Sequence, residues 1–117
     1  MRVVVIGTGY VGLTTATVLA YIGNSVTCLD TNAEKINQLK QGILPIHEPH
    51  LDEVFDQVRH KMRFTTDYAQ ADIPNTEVII IAVGTPPLPD GDADLTYLGQ
   101  AAESLAKNLG EDFTLIV

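Results

Sequence analysis

Short apolar runs alternate along the chain with segments in which apolar residues recur at helical spacing. A strand that is buried on both faces of a parallel sheet is typically apolar at consecutive positions, because neither of its faces meets water. Runs of this kind predict strands at residues 3–6, 26–29, 78–83 and 113–117, with a weaker strand at 63–65. The segments between them predict helices over residues 10–22, 32–41, 51–61 and 95–109.

Local signals mark the ends of these helices. Gly23 and Gly42 directly follow the first two helices, as is typical of a C-terminal stop. Thr31 is followed three residues later by Glu34, which fits a capping box with Thr31 as the N-cap. Asp94 is predicted to cap the fourth helix.

The first helix carries two lines of residues at helical spacing. One line is entirely β-branched and consists of Val11, Thr15, Val18 and Ile22. The other line is small and consists of Gly12, Ala16 and Ala20. One small residue per turn would allow this side of the helix to approach a sheet closely.

The alternation of strands and helices predicts an α/β fold of one domain over residues 1–117. Right-handed crossovers between parallel strands lead to a doubly wound Rossmann-type sheet with helices on both faces. About five strands are expected, in the order 3-2-1-4-5. The chain stops at Val117, inside an apolar run, so we expect it to be an N-terminal fragment of a longer protein.

The strongest chemical signal is the glycine pattern Gly7-x-Gly9-x-x-Gly12. It follows an apolar strand, opens a helix and precedes Asp30, at the end of the second strand, by 18 residues. This context is that of a dinucleotide-binding fingerprint. Gly7 permits the tight turn, Gly9 lets a pyrophosphate approach the backbone, and Gly12 lets the helix pack on the sheet. The plainer alternative is a glycine-rich turn followed by a capping aspartate.

The fingerprint predicts NAD rather than NADP. Backbone N–H groups at a helix N-terminus bind phosphates, which explains how a chain with net charge −8 would hold an anion. Asp30 can accept hydrogen bonds from both hydroxyls of the adenosine ribose, and it would repel a 2′-phosphate. Thr85, in the stretch Gly84-Thr85-Pro86-Pro87 after the fourth strand, is expected to face the same crevice as Gly9.

The composition excludes several classes of partner. Seven basic residues against fifteen acidic ones, without a basic cluster, disfavour nucleic acid and anionic membranes. No apolar stretch is long enough for a membrane span, and the N-terminal apolar run is too short for a secretory signal. The single cysteine, Cys28, excludes an internal disulfide and indicates a reducing compartment, so a cytoplasmic location is expected.

Two constellations that suggest metals are disfavoured, so no metal is expected. His47, Glu48 and His50 are interrupted by Pro49, and a surface loop accounts for them. The alternating aspartates of residues 90–94 resemble the start of a calcium loop, but the sixth and twelfth positions lack the required glycine and glutamate.

The sequence resembles the nucleotide-sugar 6-dehydrogenases, a family that includes UDP-glucose and GDP-mannose dehydrogenases. Four stretches within residues 3–95 carry the resemblance, in the same order as in the family. They are Gly7-x-Gly9-Tyr10-Val11-Gly12-Leu13, Asp30-x-Asn32-x-x-Lys35, Pro45-Ile46-x-Glu48-Pro49-x-Leu51, and Val83-Gly84-Thr85-Pro86 with Asp90-Gly91-x-Ala93-Asp94-Leu95. One departure is His50, where the family more often has glycine.

The resemblance implies roles for individual residues. Tyr10 and Val11 would contact NAD at the helix start, and Asp30 would hold the adenosine ribose with Lys35 nearby. Thr85 would bind the nicotinamide half or its ribose. The family oxidises the C6 alcohol of the sugar to a carboxylate in two NAD-dependent steps, through a thioester on a cysteine. That cysteine belongs to a later part of family chains, so no catalytic residue is expected here. Cys28 is expected to be a small buried hydrophobe.

UDP-glucose is the expected substrate of the parent enzyme, and GDP-mannose or a UDP-hexosamine stays open. A free-standing NAD-binding module without catalysis is a second hypothesis. A dehydrogenase of 2-hydroxy acids is a third, disfavoured because it does not account for Glu48-Pro49 and Thr85-Pro86 together. Members of the family are oligomeric, so a homo-oligomer is an open expectation. An exposed edge at the fifth strand predicts marginal stability or self-association.

Overall fold

A computed structural model describes residues 1–111 and 115–117 of the chain. Its strands and α-helices are β1 (Arg2–Ile6), α1 (Tyr10–Tyr21), β2 (Ser25–Leu29), α2 (Ala33–Lys40), α3 (Leu51–Val58), β3 (Arg63–Thr65), β4 (Val78–Ile81), α4 (Thr96–Ala106) and β5 (Leu115–Ile116). Short 3-10 turns cover Arg59–Lys61, Tyr68–Ala71 and Ile73–Asn75.

The five strands form one parallel sheet in the order β3-β2-β1-β4-β5. β1 lies at its centre, with Val4 aligned with Thr27 of β2 and with Ile79 of β4. The chain therefore winds outward in one direction to β3 and then in the other to β5. This confirms the predicted doubly wound sheet and its strand order.

The two faces of the sheet are covered by different helices. Val3 and Val5 of β1 belong to a core that also contains buried residues of α1, α2 and α3. Val4 and Ile6, which alternate with them, belong to a second core with Ala101 and Leu105 of α4 and with the 3-10 turns. Because side chains alternate along a strand, β1 contributes to both cores, and helices cover both faces of the sheet.

Helix α1 packs on the sheet through its line of small residues. Gly12, Ala16 and Ala20 are buried, whereas Val11 and Ile22 of the β-branched line are each 66% exposed. Small side chains allow the helix backbone to lie close to the strands, and this close approach decides which side of α1 faces the sheet.

Two predicted helix starts are wrong by one position. The N-cap of α2 is Asn32, whose side chain accepts a hydrogen bond from the Lys35 backbone N–H, rather than Thr31. Asp30 accepts the Asn32 N–H, which holds Thr31 in a turn and delays the helix. The N-cap of α4 is Leu95, and Asp94, one residue earlier, accepts hydrogen bonds from the backbone N–H and the hydroxyl of Thr96.

The strand ends differ slightly from the prediction. β4 ends at Ile81 rather than at residue 83, although the Ala82 N–H still donates to the Ile6 carbonyl. Of the predicted fifth strand, Leu115 and Ile116 are in β5, while residues 113 and 114 lie outside the described residues. Within residues 1–111 and 115–117, no helix has the length and apolar character needed to cross a membrane.

Candidate functional site

A cavity of about 300 Å³ lies where the carboxyl ends of β1 and β2 meet α4. It is on the edge of the sheet where parallel α/β folds bind their ligands, at the strands where the winding direction reverses. The residues that line it are Ile6, Gly7, Thr8, Gly9, Leu29, Asp30, Thr31, Asn32, Lys35, Tyr68, Val83, Tyr97, Gln100, Ala101 and Ser104. The structure thus brings together Gly7, Gly9, Asp30 and Lys35 among the predicted site residues.

The tight turn after β1 requires glycine at two positions. Gly7 has φ +102°, and a Cβ there would overlap the Ala82 carbonyl oxygen at the end of β4. A Cβ on Gly12 would overlap the Gly7 carbonyl oxygen and lie 3.3 Å from the Ala82 Cβ. The structural roles predicted for these two glycines are confirmed, because each one lets α1 and the turn lie directly against the sheet.

Gly9 differs from both, since a Cβ built on it meets no other atom within 4 Å. It is the N-cap residue of α1 and makes no side-chain capping bond. The backbone N–H groups of Tyr10, Val11 and Gly12, in the first turn, have no acceptor within the helix itself. Open space beside Gly9 and helix N–H groups with a positive dipole end together fit a dinucleotide pyrophosphate.

Asp30, at the end of β2, is held by three hydrogen bonds. Its Oδ2 accepts from both the backbone N–H and the hydroxyl of Thr8, at 2.8 and 2.7 Å, and its Oδ1 accepts from the Asn32 N–H at 2.9 Å. Partial burial raises the pKa of the Asp30 carboxyl. The three hydrogen bonds and the Lys35 charge lower this pKa by more, so it lies below its usual value. Asp30 is therefore an anion with a fixed orientation.

The orientation of Asp30 decides which oxygen remains available to a ligand. A carboxylate oxygen accepts about two hydrogen bonds, and Thr8 supplies two to Oδ2. Oδ1 accepts one from the protein and keeps capacity for a ribose hydroxyl. Lys35 lines the same cavity as Asp30, which supports the expectation that it lies near the adenosine end of a bound dinucleotide.

Sequence reasoning missed Thr8 and Tyr68 as site residues. Thr8 is fully buried and occupies a variable position of the glycine pattern. Its ability to donate a hydrogen bond to the aspartate at the end of β2 is the property that could have indicated its role. Tyr68 comes from the 3-10 turn after β3 and lines the cavity. Burial and the nearby Asp30 charge raise the pKa of the Tyr68 phenol, whose side chain lines the same cavity as Asp30.

Tyr10, Val11 and Thr85 do not line this cavity. The Tyr10 ring points to the loop before α3, where its hydroxyl donates to Glu48 Oε2 at 2.6 Å, and the Val11 side chain is exposed. Thr85 is exposed at the start of a loop whose base is closed by a bridge between Pro87 and Ala93. The cofactor contacts expected of these three residues stay predictions.

The remaining singled-out residues have structural explanations. Cys28 is fully buried in β2, and desolvation raises the pKa of its thiol to about 12, as fits a small hydrophobe. His50 has φ +67°, a left-handed conformation that glycine adopts without strain. The described residues contain no group of three or more His, Cys, Asp or Glu side chains that could hold a metal.

Comparison with known proteins identifies the family to which this site belongs. The sequence profile described as "UDP-glucose/GDP-mannose dehydrogenase family, NAD binding domain" matches residues 1–117. The chain belongs to this family. NAD is therefore its cofactor, and the domain is that of an oxidoreductase.

Individual relatives cover the same stretch. The UDP-glucose 6-dehydrogenase TuaD of Bacillus subtilis is 44% identical over 110 residues, which are 92% of this chain and 24% of the relative. Solved structures of the UDP-D-ManNAc dehydrogenase from Pyrococcus horikoshii and the GDP-mannose dehydrogenase from Pseudomonas aeruginosa match with TM-scores of 0.88 and 0.86 at 35% and 34% identity. The match with the Pyrococcus horikoshii enzyme covers 99% of this chain and 27% of that enzyme's chain. The match with the Pseudomonas aeruginosa enzyme covers 92% of this chain and 25% of that enzyme's chain. The chain thus spans about a quarter of the length of its curated relatives.

Proposed function

We propose that residues 1–117 are the NAD-binding domain of a longer, cytoplasmic enzyme that oxidises UDP-glucose to UDP-glucuronate in two NAD-dependent steps. The identity with curated UDP-glucose 6-dehydrogenases, 37–44% over nearly the whole chain, supports this substrate. The chain's quarter share of their length supports a parent enzyme whose catalytic cysteine lies in a later part of the chain. In this proposal the domain binds and orients NAD.

One observation carries the cofactor part of the proposal: the fixed Asp30 carboxylate shares a cavity with the open turn at Gly9. The pyrophosphate binds at the N-terminus of α1, and Asp30 Oδ1 accepts a hydrogen bond from the adenosine ribose. The anionic carboxylate would repel the 2′-phosphate of NADP. Tyr68, which lines the same cavity, offers an aromatic surface to the adenine.

A calorimetric titration with NAD and, separately, NADP tests this site. The wild-type protein is expected to bind NAD more tightly than NADP, and Asp30→Ala should weaken NAD binding and reduce that preference. Asp56→Ala is the matched control, because Asp56 is an exposed aspartate on α3 that does not line the cavity. Equal affinities of the wild type for NAD and NADP would contradict the role given to Asp30.

The substrate requires a separate measurement on the full polypeptide that the natural gene encodes. Reduction of NAD is followed with UDP-glucose, GDP-mannose and UDP-ManNAc, since the solved structures that match this domain include enzymes named for the last two. A kcat/KM highest for UDP-glucose is expected. A higher kcat/KM for GDP-mannose or UDP-ManNAc would identify that nucleotide sugar as the substrate instead. NAD binding without turnover of any of the three would favour a non-catalytic NAD-binding module.

A further inference from the structure

The pyrophosphate-binding turn is tethered on both sides of Gly9 by hydrogen bonds to distant residues. Gly9 caps α1 without a side-chain hydrogen bond, so no capping side chain holds the backbone N–H groups of the first turn. On one side, Thr8 donates two hydrogen bonds to Asp30. On the other, the hydroxyl of Tyr10 donates to Glu48, 38 residues further along the chain, at 2.6 Å.

The acceptor of the second tether is itself anchored. Glu48 belongs to the loop of residues 43–50, in which Leu44 and Ile46 pack against the core and alternate with exposed residues. Leu51, directly after the loop, is buried at the start of α3. The Glu48 hydrogen bond raises the pKa of the Tyr10 phenol, so Tyr10 stays a protonated donor at neutral and moderately alkaline pH. The Tyr10–Glu48 pair therefore links the first residue of α1 to a loop fixed on the core.

We propose that Glu48 is a positioning residue for NAD binding. Glu48 holds the Tyr10 side chain and thereby fixes the first turn of α1. The backbone N–H groups of this turn are the ones that face the pyrophosphate, so their alignment is set before the ligand arrives. A turn that is ordered in advance loses less conformational entropy when it binds its ligand. The inference rests on NAD binding at α1 and does not depend on which sugar the enzyme oxidises.

The charge and the hydrogen bond of Glu48 have opposite effects on the bound pyrophosphate. The carboxylate brings a negative charge near the phosphate site, which disfavours an anion, while its role as acceptor orders the turn. Glu48→Gln separates the two, because the amide oxygen of glutamine still accepts the Tyr10 hydroxyl and the charge is gone. Glu48→Ala removes both.

The experiment measures NAD affinity by calorimetry for the wild type, Glu48→Ala, Glu48→Gln, Tyr10→Phe and the double variant Tyr10→Phe/Glu48→Ala. Glu53→Ala is the control, since it removes an exposed carboxylate at the third residue of α3, which lies 3.8 Å from the His50 Nδ1. Thermal unfolding without NAD shows that each variant is folded. Both tether residues are at least partly exposed, so folded variants are expected.

The expected result is that Glu48→Ala and Tyr10→Phe each raise the Kd for NAD about three- to tenfold, the range of one lost hydrogen bond. The double variant should bind no more weakly than either single one, because the same contact is removed. Glu48→Gln and Glu53→Ala should bind like the wild type or slightly more tightly. An unchanged Kd in Glu48→Ala, or a loss in Glu48→Gln equal to that in Glu48→Ala, would overturn the proposal. Absence of NAD binding by the wild type would instead refute the cofactor site, and the inference with it.

Discussion

Thr8 donates both its backbone N–H and its hydroxyl to the same oxygen of Asp30, at 2.8 and 2.7 Å. This pair joins the turn after β1 to the end of β2, across two neighbouring strands. Thr8 is fully buried, so neither bond competes with water on the threonine side. The orientation of the Asp30 carboxylate thus depends on a side chain inside the glycine pattern itself.

Replacing Thr8 by valine keeps the shape of the side chain and removes the hydroxyl hydrogen bond to Asp30. Thr8→Val should destabilise the fold by about 1.5–3 kcal/mol, the range for hydrogen bonds to charged groups. It should also lower the preference for NAD over NADP, because Asp30 is less well oriented. Thr17→Val is the control, since Thr17 is equally buried and its hydroxyl donates to the Leu13 carbonyl within α1.

Denaturant unfolding and paired titrations with NAD and NADP check the Thr8 prediction. Thr17→Val is expected to lose stability without any change in the ratio of the two affinities. Thr8→Ser, which keeps the hydroxyl, should restore most of the preference. If Thr8→Val kept the wild-type ratio, Asp30 would be oriented by other contacts.

Alanine substitutions at the three glycines of the pattern should distinguish the residues needed for folding from the residue needed for NAD binding. Alanine at Gly7 or Gly12 places a Cβ on a backbone carbonyl, so each variant should lose more than about 3 kcal/mol of stability or fail to fold. Gly9→Ala has open space and φ −75°, so its thermal transition should stay close to that of the wild type. Its Kd for NAD should nevertheless rise about tenfold or more, because the Cβ occupies the approach to the pyrophosphate. Tight NAD binding by Gly9→Ala would show that the ligand lies elsewhere.

The lowered pKa of Asp30 makes the stability of the fold depend on pH in acid. A carboxyl whose pKa is lower in the folded state than in the unfolded chain, where it is about 3.9, stabilises the fold above that pH and loses this contribution as the pH falls through the folded-state value. The difference in unfolding free energy between wild type and Asp30→Asn should therefore be full at pH 7 and shrink below about pH 4.

Asp94→Asn provides the comparison for this pH dependence. Hydrogen bonds from Thr96 also lower the pKa of Asp94, but the carboxyl lies in solvent, which screens its interactions. The difference in unfolding free energy between wild type and Asp94→Asn should therefore also shrink in acid, but by a smaller amount than for Asp30→Asn. A difference for Asp30→Asn that stayed constant from pH 7 to pH 3 would mean that its three hydrogen bonds do not favour the ionised form.

The strands and the glycine pattern could be predicted because both depend on local sequence, and the strand order then followed from the right-handed crossovers of a doubly wound sheet. Runs such as 3–6 and 78–81 are apolar at every position, which is typical of strands buried on both faces. Gly7 and Gly12 are required by backbone contacts that any fold of this kind makes at the same place. The position of Asp30 at the end of β2 follows from the strand itself.

The contacts that orient the site could not be predicted, because they join residues with no fixed spacing. Glu48 lies in a loop, and its distance from Tyr10 depends on how Leu44 and Ile46 pack. Helix starts also depended on competing acceptors: Thr31 and Asn32 are both good N-caps, and the Asp30 carboxylate decided between them by bonding the Asn32 N–H. Each of these alternatives differs in free energy by about one hydrogen bond, and residue spacing in the sequence does not distinguish between them.

Cys28, the single cysteine of the chain, should report both folding and NAD binding. Its thiol is fully buried in β2 and has a pKa raised to about 12, so a thiol-specific reagent at pH 8 can react only when the structure opens. Labelling of the native protein should be at least about a thousandfold slower than in denaturant, given a typical domain stability of ~5 kcal/mol or more. NAD at one hundred times its Kd should slow labelling by about a further hundredfold, since it binds only the folded state. Asp30→Ala, assayed at the same NAD concentration, should show less of this protection, and rapid labelling of the native wild type would place Cys28 outside the core.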